Sequence, residues 1–173
     1  EPKSGEILAL VSSPSYNPNL LVGRERSKNY VELYKDSIYK PLIDKALLSM
    51  FPPGSPFKIL AGLTALQEKS ITEESTIYCK GYYVYGKEKR RMSCHCGGGY
   101  RNIYNAISLS CNSYFADIYR KTIDSNNNAK KSFNQWSNHI KSFGLGNYLN
   151  NDLPVGKKGV IPDSEYYDRW YPD

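Results

Sequence analysis

The segment Phe51-Pro52-Pro53-Gly54-Ser55-Pro56 constrains this chain more than any other. Two consecutive prolines deny the preceding residues helical backbone angles and remove two backbone donors, so whatever helix leads up to them must stop. Ser55 is a favoured helix N-cap, and Pro56 suits a first helical position, where its missing N–H costs nothing. A helix is therefore predicted to start at Ser55. Ile59, Leu60, Leu63 and Leu66 would form its buried stripe through about Glu68, and Ala61 and Gly62 would keep the opposite face shallow.

The same reading applies along the chain. Ile7 to Val11, after the turn residues Ser4 and Gly5, reads as a buried strand, and the Ser13–Asn19 segment ends it. Arg24 to Asp36 is polar and mixed in sign, an exposed connection with some helix. Leu42, Ile43, Ala46, Leu47 and Met50 mark a short helix before the prolines. Tyr78 to Tyr85 is expected as a short hairpin ending at Gly86, and Gly97-Gly98-Gly99 as a hinge or close-approach loop. Helices follow around Asn102–Ile107, from about Cys111 to Thr122, and over Phe133, Trp136, Ile140 and Phe143, the last stopped by Gly144 and Gly146. From Leu153 onward the tail reads as irregular, and no internal repeat is present.

At 173 residues the chain is the size of one domain and can bury a core. Its longest aliphatic run, Ile7 to Val11, is far below the roughly 20 residues that span a bilayer. No charged start leads into an apolar stretch, so no signal peptide is read. The chain opens at Glu1 rather than Met, and a segment of a longer protein is expected. Lys+Arg exceed Asp+Glu by 23 to 17, but the excess is scattered apart from Lys87–Arg91, so a nucleic-acid partner is not read from it.

Two patterns carry chemistry. Ser55-Pro56-Phe57-Lys58 has the form S-x-x-K, and on a helix residues three apart share a face. Lys58 could then take the proton that makes Ser55 a nucleophile, and first-turn N–H groups could hold the oxyanion. An N-capping serine beside a surface lysine is the plain alternative. Ser37-Ile38-Tyr39-Lys40 has the same form, but Pro41 blocks a helix there. The second pattern is S-x-N at Ser110-Cys111-Asn112, between apolar helical segments where polar side chains need partners. It fits a hydroxyl relay with an orienting amide, and equally a capped turn between helices. Ser27-Lys28-Asn29, Ser125-Asn126-Asn127 and Ser132-Phe133-Asn134 match its form too.

These residues, in order, resemble the transpeptidase domain of class B penicillin-binding proteins. Its signatures include S-x-x-K and S-x-N-type motifs with K-T-G. Supporting likenesses are Ser4–Ser12 with Pro14–Asn19, and Phe143-Gly144-Leu145-Gly146 with Asp152-Leu153-Pro154. The elongation-type branch, in a form similar to that of the Bacteroidetes group, is nearest. The resemblance implies an α/β (α+β) serine-transpeptidase or β-lactamase-like fold in one partial domain over 1–173. It also implies acyl transfer from D-Ala-D-Ala stem peptides of peptidoglycan through an acyl-serine. Ser55 would be the nucleophile, Lys58 its base, Ser110 the relay and Asn112 the substrate-orienting amide. β-Lactams would acylate the same serine, and elongation-complex proteins would be partners. The implied location is periplasmic, in a parent anchored to the inner membrane by a segment outside this chain. Alternatives are a β-lactam-sensing module and a zinc-stabilised scaffold without catalysis.

The sequence departs from the family at K-T-G, which it does not contain. Gly156-Lys157-Lys158-Gly159 follows Asp152-Leu153-Pro154, where the family has an ordinary loop. The sheet is thus expected to lack its C-terminal strands, the fragment to have little or no activity, and apolar faces to be exposed. The chemistry implied needs no cofactor. Cys79, Cys94 and Cys96, with His95 as a possible fourth donor, supply ligands for a structural zinc, which the resemblance allows. The spacing matches no standard finger, and a disulfide from Cys79 to Cys94 or Cys96 suits an oxidising periplasm. Cys111 reads as a small buried apolar residue, and His139 as a helix-surface residue.

Overall fold

A computed structural model describes residues 1–148, 152, 153 and 155–171. Pro154 of the Asp152-Leu153-Pro154 landmark lies outside the described residues. The chain divides into two compact units, Glu1–Phe51 with Tyr148–Lys158, and Pro52–Asn147 with Gly159–Asp173.

The first unit is largely irregular. It holds a 3₁₀ turn at Pro18–Leu21, helix α1 at Arg26–Lys35 and the one-turn helix α2 at Lys45–Leu48. Asp44 caps α2 by accepting from the amides of Ala46 and Leu47. Ser12 ties two strands of backbone together without forming a sheet: its hydroxyl donates to the Ile43 carbonyl at 3.2 Å and accepts from Lys45 N–H at 2.9 Å. The buried strand expected at Ile7–Val11 is not formed, and Leu8 and Val11 are exposed. An apolar run becomes a strand only when a neighbour takes up its backbone groups, and no described segment pairs with this one.

The second unit is built around α5, Asn112–Ile123. Its Tyr114, Phe115, Ile118 and Thr122 are buried, and it packs against a hairpin, α3 and α6. The hairpin pairs β1, Ile77–Tyr85, antiparallel to β2, Arg90–Arg101. Helix α3 spans Phe57–Gln67, α4 Ile103–Ser108, α6 Ala129–Ser142 and α7 Ser164–Trp170. Helices against an antiparallel sheet make the fold α+β, as expected, and among the described residues the sheet has two strands. No helix among them is long and apolar enough to cross a membrane.

Several expectations are corrected here. α3 does not bury Ile59 and Leu63, which are 53% and 47% exposed; its buried positions are Gly62, Thr64 and Ala65. The helix is apolar on every side, so periodicity could not pick its inner face. Close approach picks it instead: a Cβ on Gly62 would stand 3.2 Å from Ile103 Cδ1 of α4. Tyr78–Tyr85 is one strand rather than a hairpin, with Gly86 in the turn that follows. Gly97-Gly98-Gly99 lies within β2, where Gly98 pairs with Lys80 and Gly99 with Cys79, and a Cβ on Gly98 would touch the Cys79 carbonyl at 3.5 Å. The tail holds α7, which Asp163 caps by accepting from Tyr166 N–H. The helices expected around Asn102, Cys111 and Phe133 are present, α4 opening on a reciprocal Asn102–Asn105 capping box.

Candidate active site

The double proline delivers Ser55 to the start of α3, but not as its cap. The helix begins at Phe57, and the Ser55 side chain makes no capping bond. The first turn closes on itself: Phe57, Lys58 and Ile59 N–H donate to the carbonyls of Gly54, Ser55 and Pro56 at 3.1, 3.0 and 3.3 Å. Those amides are therefore spent, which corrects the expectation that first-turn donors receive an oxyanion. With Pro56 lacking an N–H, the amide of Ser55 itself is the remaining donor of the turn. Its hydroxyl is exposed and free of the backbone, and it accepts from Ser110 Oγ at 2.9 Å and from Lys58 Nζ at 3.3 Å.

Lys58 lies in the first turn of α3, half-buried. Its Nζ stands 2.7 Å from the Ser110 carbonyl oxygen, 2.8 Å from Ser110 Oγ and 2.6 Å from Asn112 Oδ1. The Phe115 ring of α5 flanks it, with the centroid 5.9 Å away. Counting donors shows what this cage permits. A carbonyl and an amide oxygen can only accept, so they consume two N–H bonds. The remaining tetrahedral position faces the two serine hydroxyls. It is an N–H when the amine is charged and a lone pair when it is neutral. The proton on that face is the one the amine can exchange with a serine, without disturbing its other bonds.

Ser110 occupies the turn between α4 and α5 with φ 50°, in the left-handed region that favours glycine. The turn is closed by Ser110 N–H to Ile107 O at 3.0 Å and Cys111 N–H to Ala106 O at 2.8 Å. Holding a non-glycine residue there costs on the order of 1–3 kcal/mol. The geometry it yields aims the carbonyl and hydroxyl of one residue at the same amine. Asn112 opens α5: its Oδ1 faces Lys58, and its Nδ2 donates to the Ser93 carbonyl on β2 at 3.1 Å. That bond sets the amide's orientation and leaves one N–H of the amide for a substrate.

Three elements thus bring Ser55, Lys58, Ser110 and Asn112 into one hydrogen-bonded set. The similar Ser37–Lys40 stretch sits instead in a turn organised by Asp36, whose carboxylate accepts from Ile38 and Tyr39 N–H. Gly156–Gly159 is in no strand. His139, on α6, is paired with Glu68, away from this set. A cavity of about 680 Å³ lined by Tyr83, Met92, Tyr119, Phe133 and Tyr167 includes none of the four residues.

The cysteines form a second centre. All four Sγ atoms lie within 4.8 Å of one another, and all four cysteines are free, so the expected alternative of a Cys79 disulfide is not formed. Cys111 is a member of this group rather than a lone apolar residue, and His95 is exposed outside it. The sequence signal was the count, since the four cysteines complete a set only with Cys111. Burial pushes the Cys111 thiol up. Burial also acts to raise Cys94, but backbone amides of Ser113 and Cys96 outweigh it and lower that thiol to about 5. Four clustered sulfurs are a donor set suited to a tetrahedral soft metal such as zinc.

A serine, a lysine and a second serine are thus hydrogen-bonded in series beside an amide, on helices packed against an antiparallel sheet. The chain belongs to the penicillin-binding protein transpeptidase domain family, whose model matches residues 1–171. It is 35% identical over 168 residues to peptidoglycan D,D-transpeptidase MrdA of Acinetobacter baumannii, covering 96% of this chain and 24% of that protein. Pseudomonas aeruginosa PBP2 in complex with WCK 5153 superposes with a TM-score of 0.79 at 30% identity, over 99% of this chain and 37% of that one. Helicobacter pylori PBP2, solved in complex with MreC, gives 0.77 at 29% identity over 98% of this chain and 30% of its own. Penicillin-binding protein A of M. tuberculosis, as an imipenem acyl-enzyme complex, gives 0.72 at 29% identity over 96% of this chain and 38% of its own. The chain thus spans about a quarter of the curated relative's length.

Proposed function

We propose that this chain is the front part of a serine-type peptidoglycan D,D-transpeptidase, in which Ser55 is the nucleophile. The observation that carries the reading is the shared cage of Ser55, Lys58, Ser110 and Asn112 around one amine. The Ser55 hydroxyl proton passes to Lys58 Nζ as its oxygen bonds to the carbonyl carbon of the penultimate D-Ala. The oxyanion that forms takes a hydrogen bond from the Ser55 amide. The C–N bond to the terminal D-Ala breaks, and the proton travels from Lys58 by way of Ser110 to the leaving amine. An amine from a neighbouring strand then attacks the ester, yields a proton to the same relay and forms the cross-link, which restores the Ser55 hydroxyl. Asn112 holds the lysine on one side and offers its free N–H to the stem peptide.

A β-lactam carbonyl presents the same electrophile, in keeping with the acyl-enzyme complex of the mycobacterial relative. Elongation-complex proteins are the expected protein partners, in keeping with the MreC complex of the Helicobacter relative. The parent protein is placed by this reading on the periplasmic side of the inner membrane, as one transpeptidase domain to which residues 1–173 contribute. The chemistry requires no cofactor. Cys79, Cys94 and Cys96, joined by Cys111, are assigned to a structural zinc site.

The sequence has no K-T-G, and the 173 residues alone are expected to have little or no activity; fluorescent-penicillin labelling of Ser55 in the isolated chain would contradict that. In the parent, Ser55→Ala should abolish cross-linking of stem peptides while leaving the folded protein intact. Cross-linking retained by that variant would favour a scaffold role over catalysis.

A further inference from the structure

We propose that the outer face of the β1–β2 hairpin is a binding arm for an acidic peptide, with Arg91 as the fork that takes a carboxylate and Lys87 and Lys89 adding charge; that this peptide is the one the active site processes rests on the acyl-transfer reading above. Charge placement points to it first. Residues 77–101 hold six of the 23 Lys and Arg but one of the 17 Asp and Glu, which leaves 17 against 16 in the rest of the chain. The net charge of +6 is therefore almost wholly the hairpin's.

The tip spends its single acid within itself, since Glu88 pairs with Arg90 at 2.6 Å. No ion pair among the described residues involves Lys87, Lys89 or Arg91, and all three are exposed. Lys89 N–H closes the turn on the Gly86 carbonyl at 3.2 Å, which holds both lysines on a short loop. Tyr83, Tyr85 and Met92 line the cavity on the α5 side, so strand alternation puts Tyr82, Val84, Arg91 and Ser93 on the other face. There the Arg91 guanidinium lies over the Tyr82 ring, 4.7 Å from its centroid. Stacking occupies the face of the guanidinium and leaves its edge N–H groups, which bond to no described residue. A planar fork held by its face fits a carboxylate, which can accept two parallel N–H bonds. A lipid surface fits less well, because Gly86-Lys87-Glu88-Lys89 offers no large apolar side chain to insert.

The arm starts at the active site. Arg91 is two residues from Ser93, about 7 Å along β2, and the Ser93 carbonyl is the acceptor that orients Asn112. An extended peptide that meets the free N–H of Asn112 and runs along β2 brings to Arg91 a carboxylate about two or three residues from its reacting carbonyl. The arm selects by charge and takes no part in acyl transfer.

The test uses the full-length protein and, as probe, a short fluorescent poly-L-glutamate followed by anisotropy at low salt. The wild type should bind it, and Lys87→Gln, Lys89→Gln and Arg91→Gln combined should weaken binding at least about tenfold. Equal binding by the two would overturn the arm. Arg91→Lys keeps the charge and loses the fork, so it should bind more weakly than the wild type; equal affinity would remove the fork. If the combined variant does not fold, carbodiimide cross-linking of the probe to the wild type serves instead: adducts on Lys87 or Lys89 support the arm, and adducts only on other lysines overturn it. Binding to phosphatidylglycerol vesicles with none to poly-L-glutamate would overturn the peptide in favour of a membrane surface. For an acidic stem peptide the KM should rise in the combined variant, and amidating the side-chain carboxylates of that peptide should abolish the difference. An equal KM on the acidic peptide would overturn its assignment to the arm. Wild type that never acylates would refute the acyl-transfer reading, while the poly-L-glutamate data would still decide the arm.

Discussion

At the residue scale, Ser110 shows the conflict between folding and function. A glycine would take φ 50° at no steric cost, yet a serine stands there, and its hydroxyl bridges Lys58 and Ser55. Ser110→Gly should therefore leave the melting temperature of the parent nearly unchanged, since relief of strain offsets lost hydrogen bonds. Acylation by a β-lactam should fall by roughly 10²–10⁴-fold, the usual span for a proton-transfer group. A variant that keeps its acylation rate would remove Ser110 from the relay. The S-x-x-K spacing is readable in the sequence because helix geometry fixes which residues share a face, and S-x-N because it stands between two apolar helical segments. What spacing cannot contain is the left-handed turn at Ser110, since serine seldom adopts it. Nor does it contain the use of the Ser93 carbonyl to orient Asn112, which is a contact across 19 residues made by backbone.

At the element scale, legibility followed the source of each element's stability. α4, α5 and α6 carry local caps and one-sided periodicity, and each was expected close to where it lies. α3 was expected as an element but not in orientation, because its inner face is chosen by how near α4 can come. Gly62→Leu should thus destabilise the parent by about 1–3 kcal/mol through overpacking against Ile103. Thermal unfolding would read this as a lowered midpoint, and an unchanged midpoint would mean that α3 and α4 are not held at this distance. The Ile7–Val11 segment failed as a strand for the opposite reason, since its fate depends on a partner and not on its own residues. α7 is hidden in the sequence among Pro154, Pro162 and Pro172, and only Asp163 and Glu165 mark its start.

At the scale of the whole molecule, exposed apolar side chains such as Leu8, Ile38 and Phe51, at 76%, 83% and 74%, match the expectation of uncovered faces. Charge and length bounded the class without indicating chemistry. The candidate site lies where α3, the α4–α5 turn and β2 converge, and long-range contacts there link residues more than fifty positions apart, as Ser55 and Ser110 do. The most direct measurement is intact-mass analysis and peptide mapping of the full-length parent after brief exposure to a β-lactam. One adduct per chain, carried by the peptide containing Ser55 and absent from Ser55→Ala and Lys58→Met, is the result this account predicts. An adduct on another residue, or one that persists at full rate in either variant, would contradict it.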